Sequence, residues 1–187
     1  MKYFTPQWWI ALQDPRSKAA FKAWDRKLAR YQKQLEKILP ELRPSARRFF
    51  RVPLILHDGT LMRMEVGDRI DDSNSATRRD AMNRRKLRVR MFVLGEIVRR
   101  RRVVGHCWYM LEYKSVERVD VNYPGKFKLF PTGFDPNLGD WGYDELTNSG
   151  KGVFRHEILF SSGATIVVEF HDFSFRRKRH PGARRSV

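Results

Sequence analysis

The run from Val153 to Phe175 constrains this chain most, because apolar and polar residues alternate on both sides of Ser161-Ser162-Gly163. A period of two is the repeat of a strand with one face buried, and a short polar break containing glycine is hairpin chemistry. The expected strands are Val153 to Phe160 and Ala164 to Phe175. With the three-residue break as the loop, Phe160 faces Ala164 and, further out, Arg155 faces Glu169. One face then carries Phe154, His156, Ile158, Phe160, Ile166, Val168 and Phe170. The other carries Arg155, Glu157, Glu169 and His171 with some valine. A one-residue slip would turn each apolar side chain to the wrong side, so this register is strongly specified.

The period at the other end of the chain is helical. Thr5-Pro6 reads as an N-cap followed by proline in the first turn, with Phe4 and Trp9 placed as a hydrophobic staple, and predicts a short helix to about Leu12. After Asp14-Pro15, residues Phe21, Trp24, Leu28, Tyr31, Leu35, Ile38 and Leu42 recur at spacings of three and four, which sets them on one face of a long helix. Pro40 and Pro44 end it. Such a stripe packs on a sheet of its own chain more often than it forms a coiled coil.

Between these ends, Asp58-Gly59 is a turn signal ahead of a strand containing Leu61, Met62, Met64 and Val66. Residues 67–86 have little apolar content and predict a mobile polar insert. Strands are expected over Leu87 to Val98, Val103 to Tyr113 and Val116 to Asn122, then a Gly/Pro-rich loop from Tyr123 to Gly142. The last twelve residues carry six Lys or Arg and no acid, which predicts a disordered basic tail over 176–187. The expected architecture is a single α+β domain over 1–175, with N-terminal helices packed on a predominantly antiparallel β-sheet.

The net charge of +17 is segregated. Residues 76–102 hold eleven Lys or Arg against two acids, whereas residues 103–175 hold six against ten. Arginine outnumbers lysine 26 to 12, and guanidinium suits bidentate phosphate contact. Arg99, Arg100, Arg101, Arg102, Arg176, Arg177, Lys178 and Arg179 are therefore the candidate polyanion-binding residues. No helix-turn-helix, zinc-finger or RNA-recognition signature accompanies them.

Catalytic and metal-binding patterns are sparse. The single cysteine, Cys107, cannot form an internal disulfide or a Cys-rich metal site, and fits a reducing, cytoplasmic setting. No apolar run is long enough for a spanning helix, so membrane insertion is not expected, and the opening MKYFTPQWWIALQD reads as structure rather than a targeting signal. Asn148-Ser149-Gly150-Lys151-Gly152 lacks the spacing of a phosphate loop, and Asp68 to Ser75 lacks the glycine and closing glutamate of a calcium loop. His156, set among Phe and Ile, reads as a hydrogen-bonded core histidine. His156 and His171 cannot chelate one ion in either hairpin register. His57 and Asp58 are the weak catalytic candidates, since a carboxylate can orient an imidazole for base catalysis. A turn or strand-entry role explains both residues without chemistry and is the favoured reading. No metal site and no cofactor are expected.

Met1-Lys2-Tyr3-Phe4-Thr5, Leu56-His57-Asp58 and His156-Glu157-Ile158-Leu159-Phe160-Ser161-Ser162-Gly163 together resemble small uncharacterised bacterial proteins grouped as a domain of unknown function. That resemblance implies a bacterial α+β domain and supplies no substrate, cofactor or catalytic residue. The functional expectation is a non-enzymatic intracellular binding protein with a protein partner, acting through the exposed sheet face or the loop Phe127 to Tyr143. The alternatives are binding of nucleic acid or another polyanion through the Arg-rich segments, and a hydrolase-type site around His57 and Asp58.

Overall fold

A computed structural model describes residues 1–12, 14, 16–52, 55–69, 86–99, 102–123 and 138–179. Among the described residues three α-helices, with a 3-10 turn at Leu39–Glu41, precede six strands: α1 (Pro6–Leu12), α2 (Lys18–Ile38), α3 (Pro44–Phe50), β1 (Gly59–Arg69), β2 (Lys86–Arg99), β3 (Arg102–Asn122), β4 (Asp140–Gly150), β5 (Val153–Phe160) and β6 (Thr165–Arg179). The strands form one antiparallel sheet in the order β1-β2-β3-β6-β5-β4, closed into a barrel. With its helices, this is an α+β architecture.

The hairpin β5–β6 adopts the register that the alternation requires. Phe154 pairs with Phe170, Arg155 with Glu169 and His156 with Val168. Phe154, His156, Ile158, Phe160, Ile166, Val168 and Phe170 are all buried inside the barrel. On the outer side, Arg155 Nη1 donates to Glu169 at 2.8 Å.

Closure rests on a short seam. β1 and β4 pair only at Gly59 with Trp141 and Thr60 with Asp140, and the Asp58 N–H adds a bond to the Trp141 carbonyl at 2.9 Å. The seam requires glycine at 59, because a Cβ there would lie 2.8 Å from the Leu56 carbonyl oxygen. Past the seam the helices complete the wall. Ser17 caps α2 by accepting the Ala20 N–H, and Tyr31, Leu35 and Ile38 are buried along the helix. The Leu146 N–H of β4, facing no strand there, donates to the Tyr31 hydroxyl at 2.9 Å. Proline opens α3, whose Phe49 and Phe50 enter the barrel against Phe173, with ring centroids 5.2 and 5.0 Å away. The predicted stripe departs from the structure at its start, where Phe21 is 41% exposed.

Two expectations are corrected. β3 is one strand of 21 residues rather than two. Lys114-Ser115 resembles a turn, and Ser115 does adopt φ 49, but the chain stays paired and absorbs the irregularity as a bulge between Val116 and Arg118. Residues 176–179 are not a disordered tail. They continue β6, so the expected boundary at 175 cuts through a strand: Arg176, Arg177, Lys178 and Arg179 pair with Met110, Tyr109, Trp108 and Cys107. The reason is twofold. They satisfy the backbone of β3, which would otherwise be an open edge there. Arg177 also turns inward, its guanidinium 5.6 Å from the Tyr109 ring centroid and its Nε 3.0 Å from Cys107 Sγ. The polar insert begins and ends in strand, since β1 reaches Arg69 and β2 starts at Lys86; its residues 70–85, and residues 180–187 of the expected tail, lie outside the described residues. Among the described residues no helix is long and apolar enough to cross a membrane.

Candidate polyanion-binding face

The candidate residues separate into four places. His57 and Asp58 meet, with Nδ1 and Oδ1 2.9 Å apart, although neighbouring residues seldom point together. Asp58 has φ 62, and this left-handed turn swings its side chain back toward the imidazole. The same turn delivers the Asp58 N–H to the barrel seam, and the His57 ring packs edge-on against Tyr143 at 5.5 Å. Asp58 is 62% exposed on its side chain. The pair thus forms part of the seam that closes the barrel.

The most elaborate polar cluster lies inside the barrel and joins three strands. His156 is fully buried. Its Nδ1 hydrogen-bonds the Tyr113 hydroxyl at 2.8 Å, and its Nε2–H donates to Asp144 at 2.9 Å, so both ring nitrogens are satisfied. Trp141 Nε1 donates to the other Asp144 oxygen at 3.3 Å. Burial, reinforced by the Asp144 carboxylate, pushes the Tyr113 phenol well above its ordinary pKa. Both imidazole nitrogens are occupied by protein groups. The cavity beside Asp144, lined by Phe4, Tyr31, Phe49 and Phe50, has about 20 Å³ and could hold a single water but no substrate. The sequence marked His156 as a hydrogen-bonded core residue; its partners Tyr113 and Asp144 sit on other strands with no local signal. Among the described residues no group of three or more metal-ligating side chains occurs.

A groove of about 520 Å³ between α3 and the β3–β6 ladder is large enough for a small molecule and is lined by Arg43, Arg88, Lys114 and His171. Each of these side chains meets a carboxylate. Arg43 lies 3.2 Å from Asp172, Lys114 3.8 Å from the same carboxylate, and His171 2.7 Å from Glu117. Arg88 and Arg90 each reach Glu112 at 2.9 Å. Burial works to raise the Glu112 carboxyl, but the Arg90 hydrogen bond with the Arg88 and Lys114 charges outweighs it, so its pKa is lowered.

The basic end of β6 differs. Cys107, Tyr109, Leu111 and Tyr113 face the interior of β3 and are buried, so Trp108, Met110 and Glu112 face outward. Lys178 stands beside Trp108, and Arg176 beside Met110. Alternation carries both cations to the outer face, about 7 Å apart along the strand. Both are exposed, and among the described residues neither forms an ion pair. Arg99 pairs with Arg102 where β2 passes into β3; Arg100 and Arg101 lie outside the described residues. Of the eight polyanion-binding candidates, the structure thus sets two side by side on one open face and turns Arg177 inward.

Across the ladder from these cations runs an apolar strip. Leu94 pairs with Trp108 and Phe92 with Met110, and all four are only partly buried. Arg63 pairs with Phe92 from β1, its guanidinium 5.7 Å from the ring centroid. The close helix contacts fall on β4 and β6. No family model matches the chain, and no curated protein or solved structure matches it.

Proposed function

We propose that this chain is a non-enzymatic binding protein whose ligand is a polyanion, engaged at the outer face of the ordered basic end of β6. The observation that carries the reading is the contrast between two sets of cations. Arg43, Arg88, Arg90 and Lys114 are each matched to a carboxylate, whereas Arg176 and Lys178, held at fixed register, meet none among the described residues. Unmatched cations on a rigid strand lose little conformational freedom when they meet phosphate or sulfate, and they release counterions from the ligand. The overall charge of +17 adds long-range attraction of the same sign. The alternative of a protein partner at the loop Phe127 to Tyr143 falls mostly on residues outside the described ones.

The test compares two variants of equal charge change. Arg176→Glu/Lys178→Glu should weaken binding to heparin about tenfold or more at physiological salt, while Arg26→Glu/Arg30→Glu, on the exposed surface of α2, should cost much less. Equal losses would mean that only bulk charge matters, and the reading fails.

A further inference from the structure

We infer that the polyanion is single-stranded nucleic acid, with bases stacked on Phe92 and Trp108 while the phosphates follow Arg176 and Lys178. This rests on the polyanion reading above and adds the substrate class. The outer surface of β2, β3 and β6 interleaves two kinds of side chain in one small area. One row holds Lys178, Trp108 and Leu94, and the next holds Arg176, Met110, Phe92 and Arg63. Adjacent strands are about 4.8 Å apart, so each row places a β6 cation within two strands of an aromatic ring.

Charge alone would not require such neighbours. A sulfated polysaccharide or polyphosphate has no planar group to lay on a ring, and a duplex keeps its bases stacked inside. Unpaired bases expose planar faces, and proteins that bind them without sequence preference combine a cationic track with aromatic platforms. Here Trp108 and Phe92 are partly exposed on adjoining strands, and Met110, between Phe92 and Arg176, offers a flexible, polarisable surface continuous with the rings. Arg63 sits over Phe92 and is tied to Glu65, so it contributes a planar face more than free charge. Of the acidic residues in these rows, Glu65, Glu112 and Asp172 lie beyond Phe92 and Met110, whereas Asp140 ends the row of Trp108 and Leu94 across Thr60, and Glu96 pairs with His106 in the row after it.

The experiment uses the full chain and measures affinity for three probes: oligo-dT of about twelve nucleotides, a duplex of the same length, and a heparin fragment of similar charge. The same oligomer as oligo-U separates RNA from DNA binding within the proposed class. The unaltered protein should bind single strands at least tenfold more tightly than duplex, with quenching of tryptophan fluorescence. Trp108→Leu and Phe92→Leu, which keep the strand apolar, should each lose about tenfold for single strands and leave heparin affinity unchanged. Duplex or heparin binding as tight as single-strand binding by the unaltered chain overturns the inference and leaves the polyanion reading standing. Leucine variants that bind all three probes as the parent does overturn it as well. Absence of binding to every probe overturns both. Should either leucine variant fail to fold, the single-strand preference and quenching of the unaltered chain decide.

Discussion

Glu145 on β4 and Glu157 on β5 stand directly opposite one another across the ladder. Like charges in that position repel, and both residues are buried. The N-terminal segment resolves the conflict. Glu145 accepts the backbone N–H groups of Lys2, Tyr3 and Phe4 at 2.8, 2.6 and 2.5 Å, and Glu157 takes Arg155 Nε at 2.5 Å and the amino group of Met1. Two carboxylates therefore anchor the first four residues across the barrel wall. Glu145→Gln puts an amide donor where only donors converge, and should cost about 2–3 kcal/mol in urea unfolding. A loss below about 0.5 kcal/mol would show that the segment does not depend on this carboxylate.

Acid should weaken the fold through Glu112 and Glu157. Burial tends to raise both carboxyls, but Arg90 and its cationic neighbours for Glu112, and the chain amino group with Arg155 for Glu157, hold each below 4.5. A carboxyl lowered on folding contributes stability that is complete above its unfolded value and is lost as pH falls through the folded value. Stability from these groups should stay level from neutral pH down to about 5 and decline below 4.5. In urea titrations the gap between the parent and Glu112→Gln should narrow as acid is added. A gap that stays constant to about pH 3 would contradict the ion-pair assignment.

The interior network should behave as one unit. Tyr113→Phe leaves His156 Nδ1 without its hydrogen-bond partner in a buried site, and should cost about 1–3 kcal/mol. Combined with Asp144→Asn, the losses should fall short of or exceed the sum of the single changes by about 0.5 kcal/mol or more. Additive losses would mean that His156 does not couple the two groups.

The aromatic plug should matter more than the exposed start of the helical stripe. Phe50 is 4% exposed and packs edge-on against His156 at 5.1 Å, so Phe50→Ala should cost about 3–5 kcal/mol. Phe21→Ala, at a residue left open, should stay within about 0.5 kcal/mol of the parent. Similar thermal denaturation of the two variants would argue against α3 as the plug.

What was legible in the sequence follows from where each signal lies. The β5–β6 register could be read because its whole pattern sits within one short stretch around Ser161-Ser162-Gly163, and the α2 stripe because it repeats within one element. The barrel could not, because its seam joins Gly59 to Trp141 and Thr60 to Asp140, residues with no shared pattern. Arg176-Arg177-Lys178-Arg179 was misread because a strand is recognised by apolar alternation, and here the inward position is filled by arginine over Tyr109 rather than by a hydrocarbon. The His57–Asp58 contact has no signal in the sequence, since neighbouring side chains seldom point together, and it is the left-handed turn at Asp58 that brings them into contact. The outward placement of Arg176 and Lys178 beside Met110 and Trp108 depends on the β3–β6 register, which joins segments far apart in sequence.

The salt dependence of single-strand binding tests the central claim most directly. Truncation after Phe175 would strip the pairing partner from Cys107 to Met110, so substitution is the cleaner probe. Affinity of the full chain and of Arg176→Ala/Lys178→Ala for a single-stranded oligonucleotide, followed from about 50 to 200 mM salt, gives a log–log slope for each. If these two side chains each neutralise a phosphate, the slope should become shallower by about 1.4 in the double variant. An unchanged slope would contradict it.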